Sequence, residues 1–473
     1  MGTALTPLRT LRDWCIAVFL RCVGAPALGH IPGPRGLAFV RLMLHFVRDS
    51  LGALERTHAL YGPLVSYPWP VSTVIAYDPN DVDHVLVDRG GRYEKGAQTE
   101  ALQAVMGTGL VTNNDRPSWR ARRPLVAKAL GSSAVRAYAP TFFARADDLV
   151  EAWDTATADG ERELDVSEAM QRVTFAIASE TLLGRELSDA DAKRVDEAIR
   201  FTARVVHGHM FQLLPLPYAV PTRAHRRFHA HCRDLDVLVY RLIDAARGRA
   251  RLDDGSILER LVDARDPDTG AGLEDEVLRD EVLTLLIAGY ETTASTLCWV
   301  LTMLAAHPEI QAQVREEARR EGARVDSLGA RTTHPLTFAV IAESMRLYTA
   351  IPMSSRRTLA PDTLSGYAIP AGTNVVVPVW VLHRGGSFAA PERFRPDRFE
   401  GCPAHRHAGY VPFSKGDRAC VGKTFALVEV AAVLAHIVAR FELRLAEQGV
   451  PAAESHVSLQ PRGGLRLRVR RAS

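Results

Sequence analysis

The stretch from Leu273 to Ala306 constrains the fold of this chain more than any other part of it. It contains no proline until His307-Pro308, and proline ends a helix because it lacks the amide donor and clashes with the preceding turn. At 1.5 Å per residue such a helix is about 50 Å long, enough to cross a whole domain. The rest of the chain must then be organised around it. With 473 residues, 47% hydrophobic and 24% charged, there is ample material for a large core, and disordered and fibrous classes are excluded. The six cysteines (Cys15, Cys22, Cys232, Cys298, Cys402 and Cys420) are scattered without a CxxC pair, so neither a disulfide framework nor a structural zinc site is expected. A formal net charge of +3 gives no general attraction to polyanions, which argues against a nucleic-acid partner.

Arg9 and Arg12 precede a short apolar run, Trp14 to Leu20, that falls short of the roughly 20 residues a membrane span requires. Leu8, Leu11, Cys15, Val18 and Cys22 would share one helix face. Residues 1–30 therefore read as an N-terminal extension, either a helix packed on the fold or an amphipathic helix weakly touching a membrane surface. The stiff hinge Ile31-Pro32-Gly33-Pro34-Arg35-Gly36 marks the start of a single domain, 31–473. Strand-like stretches around Pro68 and Pro70, within 64–78, suggest a hairpin, and helical periodicity dominates from Asp81 to Glu321. Strands return at Ser354–Leu359 and Thr373–Val379. A Gly- and Pro-rich segment then covers 384–420, before one more helix at Gly422 to Arg440. The expected fold class is mainly α with a small β portion.

Three local patterns carry chemistry. The middle of the long helix reads Ala288-Gly289-Tyr290-Glu291-Thr292-Thr293. Gly289 costs about 1 kcal/mol against alanine, Thr292 and Thr293 can bond back to the preceding turn, and Glu291 is expensive to bury without a partner. Polar residues facing a water-filled crevice would explain this equally well. Glu343 and Arg346 are three apart on a helix that Pro335 begins, a spacing common at surfaces; a buried version would need further donors, which Arg398 of Pro396-Asp397-Arg398-Phe399 could supply. Finally, Phe413-Ser414-Lys415-Gly416-Asp417-Arg418-Ala419-Cys420-Val421-Gly422 sets a lone cysteine before an apolar helix. Amides at a helix N-terminus and the charge of Arg418 favour a thiolate. Gly416 and Gly422 allow close approach to a flat ligand, and a thiolate with no neighbouring Cys or His suits haem iron better than zinc.

These patterns resemble those of the cytochrome P450 family. The ten-residue stretch matches its F-x-x-G-x-R-x-C-x-G haem loop, Glu343 and Arg346 its ExxR helix, and Arg398 the arginine that completes that triad. Residues 288–292 match its A-G-x-[DE]-T segment, and Trp119 and Arg123 its W-x-x-x-R helix. One local departure is Gly385-Gly386, where the family usually has Asp-Pro after His383-Arg384. The resemblance implies haem b (iron protoporphyrin IX) with Cys420 as thiolate ligand. It further implies haem propionates held by Arg123, Arg357 and Arg418 with Trp119 donating its indole N–H, and a structural Glu343–Arg346–Arg398 triad. Thr292 would hydrogen-bond dioxygen, Glu291 would relay protons, and a bend at Gly289 would leave room for oxygen.

The implied activity is oxygen insertion, as hydroxylation or epoxidation, into a lipophilic metabolite such as a terpenoid, polyketide or fatty acyl compound. The alternatives are a haem-thiolate isomerase, dehydratase or peroxygenase that uses no dioxygen, and a haem sensor; the Glu291-Thr292 pair argues against both. A substrate pocket is expected from the 96–112 loop, helices across 200–220, residues 285–292, 350–354 and 457–459. Phe211, Leu213, Leu214, Ile351 and Met353 would form its walls, with polar or aromatic contacts from Phe201, His207 and His209. Electrons would come from a ferredoxin or flavodoxin with its reductase, attracted by Lys415, Arg418 and Lys423. A cytoplasmic monomer is expected.

Overall fold

The computed structural model describes residues 28–67, 72–184, 188–211, 216–248, 255–266, 270–400 and 407–473. The face predicted for Leu8 to Cys22 lies outside these residues, as do Cys402, Leu213 and Leu214. The long helix spans Asp275–Ala306, slightly shorter than its sequence signal, with Asp275 and Glu276 in its first turn where the helix dipole favours acids. From Leu278 to Ala305 it is buried on almost every side, which explains why it shows no apolar stripe. The helices Val166–Leu183, Pro335–Leu347, Arg223–Arg247 and Lys423–Arg440 pack around it. The largest apolar cluster forms between them.

The main sheet has five strands, in spatial order Leu64–Tyr67, Thr73–Ala76, Asn374–Val377, Ser354–Thr358 and Tyr93–Lys95. Thr73–Ala76 pairs in parallel with Asn374–Val377; the other pairings are antiparallel. A second sheet joins Arg162–Asp165, Arg466–Arg471 and Phe441–Leu445. Small hairpins form at Asp362–Leu364 with Tyr367–Ile369 and at Ala453–Ser455 with Leu459–Pro461. The mainly α class is as expected. Two strands, Tyr93–Lys95 and Arg162–Asp165, interrupt a region whose periodicity reads as helix, because three or four residues are too few to register a period of two.

At the hinge, a Cβ on Gly33 would lie 2.2 Å from the Ser66 carbonyl oxygen, so only glycine lets the chain pass so close to the first strand. Arg35 ties the hinge down with hydrogen bonds to the Leu28 and Ile31 carbonyls and to Ser66 Oγ. No helix among the described residues is long and apolar enough to cross a membrane.

Candidate functional site

A cavity of ≈ 380 Å³ lies between the long helix and the cysteine loop. Ala288, Gly289, Thr292, Thr293 and Thr296 line it from one side. Phe413, Cys420, Val421 and Gly422 face them from the other. Of the cysteines described, Cys298 is buried beside Ser167 and Cys232 is half-buried; Cys420 alone opens into the cavity.

The loop is shaped by its own backbone. Val411 N–H donates to His383 Nε2 at 2.9 Å, and burial pushes His383 down to about 3, so it stays neutral and can accept. Cys420 N–H donates to the Phe413 carbonyl at 2.9 Å, closing the loop. Gly416 has φ +68, and a Cβ there would lie 2.5 Å from the Leu86 carbonyl oxygen and 2.8 Å from Val87 Cα. Its role therefore differs from the expected one: it lets the loop press against the Pro79–Val87 helix, not against a ligand. Gly422 does line the cavity, and a Cβ there would meet only open space. Burial pushes the Cys420 thiol up, opposed by the Gly422 N–H and by the charges of Arg123, Lys95 and Lys423. Neither the helix-end amide nor these three cations offset the burial; a metal cation bound directly to the sulfur would.

The helix Arg116–Ala129 starts where Asp115 accepts from Ser118 N–H at 3.1 Å. One turn apart on it, Trp119 and Arg123 share a face, and both line the cavity. Arg418 lies over the Trp119 ring at 4.0 Å and donates to the Asn113 carbonyl, while Arg123 donates to the Ala419 carbonyl at 2.7 Å. Arg357 does not join them. It points to the opposite face of its strand, where it pairs with Glu94 at 2.6 Å and Glu100 at 2.5 Å. Its neighbour Arg356 points inward instead, only 5% exposed, and sits directly across the strand pair from Lys95. Strand alternation is the physical reason: Glu94 and Arg357 share one face, Lys95 and Arg356 the other. Lys95 and Arg356 escaped the sequence reading, although that alternation would have found them once the strands were paired.

Lys95, Arg123, Arg356 and Arg418 thus converge with no ion pair to a carboxylate among the described residues. Burial and then mutual repulsion hold Arg418 down to about 10 and Lys95 well below its ordinary value. Burial alone brings Arg356 to about 10. A dianionic group and a metal cation would resolve both anomalies at once, satisfying the four cations and the raised thiol. The donor set fits haem, whose propionates and iron carry those charges.

Glu343 and Arg346 are fully buried and paired by two hydrogen bonds of 2.8 Å. Arg346 also donates to the His383 and Arg393 carbonyls, while Glu343 accepts from Arg395 N–H at 2.8 Å and Arg398 Nε at 3.2 Å. Apart from the His383 carbonyl just before it, these partners come from the irregular segment that leads to the cysteine loop, so the triad fixes that segment. The long helix is unbroken through Gly289, and Thr292 and Thr293 each donate to the carbonyl one turn earlier.

Leu110, Val111, Leu285, Ala350, Ile351 and Ser354 line the cavity as expected. Met353 packs instead with Leu42 and Trp299 on the sheet side. Among the described residues of 200–220 none lines the cavity: Phe201 lies under Arg227, His207 faces His456 and His209 stacks on Tyr218. The side chain of Phe211 is outside the description. Ala178, Thr181 and Leu182 contribute wall that sequence reasoning missed. Outside the cavity, Lys415 is paired with Asp83 at 2.5 Å, so the expected basic cluster shrinks.

A family model described as Cytochrome P450 matches residues 31–467. Cyclooctat-9-en-7-ol 5-monooxygenase of Streptomyces melanosporofaciens is 30% identical over 89% of this chain and 88% of that protein. Cyclooctatin synthase of the same organism is 28% identical over 88% and 90%. A bifunctional cytochrome P450/NADPH–P450 reductase of Bacillus subtilis is 28% identical over 87% of this chain and 40% of that protein.

Proposed function

The chain belongs to the cytochrome P450 family and is a haem-dependent monooxygenase, and from that premise we propose that Cys420 holds the haem iron and that the substrate is a lipophilic, terpenoid-like metabolite. The carrying observation is the lone cysteine facing Thr292 across a cavity lined by Lys95, Arg123 and Arg418, with Arg356 paired beside Lys95. When bound, thiolate-ligated haem supplies the activation of dioxygen.

The residues of this chain then have separable tasks. Lys95, Arg123, Arg356 and Arg418 hold the two propionates by charge-assisted hydrogen bonds. Glu343, Arg346 and Arg398 keep the cysteine loop in place. Thr292 Oγ1, which donates to the Ala288 carbonyl at 2.8 Å, turns its hydroxyl to the cavity, and Glu291 supplies protons. Leu110, Val111, Leu285 and Ile351 exclude water and select for apolar surface. The resemblance to two enzymes named for cyclooctatin chemistry supports a cyclic terpenoid over a fatty acyl chain. Electrons come from an acidic ferredoxin or flavodoxin, approaching the helix Arg116–Ala129, where Arg120 and Lys128 are exposed.

The purified protein, reduced under carbon monoxide, should show the strongly red-shifted Soret band of a thiolate-ligated haem, and Cys420→Ser should lose it. Retention of that band in Cys420→Ser would overturn the ligand assignment. A spin-state screen of cyclic terpene alcohols against fatty acids tests the substrate class; shifts with fatty acids alone would reject the terpenoid reading.

A further inference from the structure

Glu291 does not line the cavity, although Ala288, Gly289, Thr292 and Thr293 around it do. Its carboxylate turns away, and Oε1 accepts a hydrogen bond from Ser458 Oγ at 2.7 Å. Ser458 is fully buried in the turn of the hairpin Ala453–Ser455 and Leu459–Pro461. Gln460 Nε2 donates to the same hydroxyl at 2.7 Å, so the single proton of Ser458 is left for Glu291. The hairpin cannot slide, because Ser295 Oγ and Trp299 Nε1 both donate to the Leu459 carbonyl from the next turns of the long helix. On the solvent side, His456 donates its backbone N–H to the Ser458 carbonyl and sits 3.7 Å from Glu454. Those two side chains are 47% and 44% exposed. Glu291 therefore lies between a water-accessible imidazole–carboxylate pair and the cavity.

We propose that Ser458 is a positioning residue for Glu291: it holds the carboxyl withdrawn from the cavity, beside the exposed His456–Glu454 pair where protons exchange with water, and Glu291 turns to the cavity when it releases Ser458. This rests on the reading of Glu291 as the proton source. The groups facing Glu291 are few. His456 comes from the hairpin, Arg200 from the helix Asp189–Phe211, and Tyr290 from the long helix itself. Asp196 pairs with Arg200 at 2.8 Å, and His207 and Glu454 face His456. Burial pushes the Glu291 carboxyl up, while the Ser458 hydrogen bond, then His456 and Arg200, favour the carboxylate.

The device follows from those opposed effects. A hydrogen bond to a carboxylate is roughly twice as strong as one to a neutral acid, so Ser458 grips the ionised form. A proton taken from water neutralises the carboxylate and weakens that grip. The carboxylic acid is then free to rotate toward the cavity and give up its proton there, after which the anion returns to Ser458. The charge state thus sets the position, and no further group is needed.

The test titrates the Glu291 carboxyl by infrared difference spectroscopy on the haem-loaded protein, with Glu291→Gln identifying its band. In Ser458→Ala the midpoint should rise by about one pH unit, as loss of one charge-assisted hydrogen bond implies. Ser458→Thr restores a hydroxyl and should bring it back; His456→Gln should raise it as well. An unchanged midpoint in Ser458→Ala, or a shift that Ser458→Thr does not reverse, overturns the proposal. Product formed per electron in Glu291→Gln reads the underlying premise separately: if it stays at the wild-type value while the Ser458 shift is seen, the proton-source reading is what fails.

Discussion

Replacing Lys95 with methionine should have two opposite consequences. Without haem, Lys95 shares the cavity wall with Arg123 and Arg418 and sits opposite Arg356 on the paired strand. Burial first, and those cations next, hold its pKa well below 10.5. Between the folded value and 10.5 the unfolded chain binds more protons, so stability rises with pH across that window and is diminished below it. Methionine has similar reach without the charge. The haem-free variant should therefore be more stable than wild type at pH 7 by about 1–3 kcal/mol, the cost of burying a polar group without a partner. This advantage should shrink as the pH rises toward 10.5. The haem-loaded protein should respond the other way. A hydrogen bond to a charged group contributes about 1.5–3 kcal/mol, and at 1.4 kcal/mol per decade haem loss should accelerate about 10- to 150-fold. Urea midpoints of the haem-free forms at pH 7 and pH 10 measure the first effect, and transfer of haem to a scavenging globin measures the second. A haem-free variant no more stable than wild type, or haem loss at the wild-type rate, refutes the reasoning.

The two adjacent arginines should separate cleanly: Arg356→Met should speed haem loss by a similar factor, whereas Arg357→Met, which breaks only the Glu94 and Glu100 pairs, should leave it unchanged. Equal effects would mean that strand alternation does not govern the site. Gly416→Ala forces a Cβ to within 2.5 Å of the Leu86 carbonyl oxygen, and the strain should lower stability by about 1–3 kcal/mol; an unaltered urea midpoint would refute the packing role of that glycine. Burial pushes Glu281 up to about 7. Its folded form therefore keeps a proton that the unfolded chain releases, and stability is lost as pH rises from about 4.5 to 7. Glu281→Gln removes this dependence, so its stability relative to wild type should improve by about 3 kcal/mol between pH 4 and pH 8, and a flat difference would contradict the assignment.

What could be read from the chain was local in it. The cysteine loop and the Trp119–Arg123 face each lie within a few residues, and their spacing already states which side chains share a surface. The long helix was legible because a missing proline is a sequence fact; its start moved by two residues and its end not at all. Glu343 and Arg346 were visible as a spacing, but their burial was not, since the partners that make it tolerable, the Arg393 carbonyl that accepts from Arg346 and the Arg395 and Arg398 donors to Glu343, lie some 50 residues away. Arg357 was misplaced for a related reason. In Arg356-Arg357 the chemistry is identical, and only the pairing of Lys95 with Arg356 tells which one faces inward. Ser458 was expected only as part of the pocket wall at 457–459; nothing in the sequence marked its contact with Glu291, because that contact exists only once the hairpin brings the two together.

The two sides of the cavity are completed in different ways. Around Cys420 the chain assembles cations from positions 95, 123, 356 and 418 with no ion pair to a carboxylate among the described residues, so this side is in electrostatic debt to a ligand. Ligand binding to the folded state alone stabilises it by mass action. The cysteine side should thus gain most of its order on loading. The Glu291 side owes nothing of that kind, for its carboxyl already has Ser458, and Ser458 already has Gln460. Loading with haem should accordingly protect the backbone amides of the cysteine loop and of Tyr93–Lys95 from hydrogen exchange far more than those of the hairpin at Ala453–Pro461.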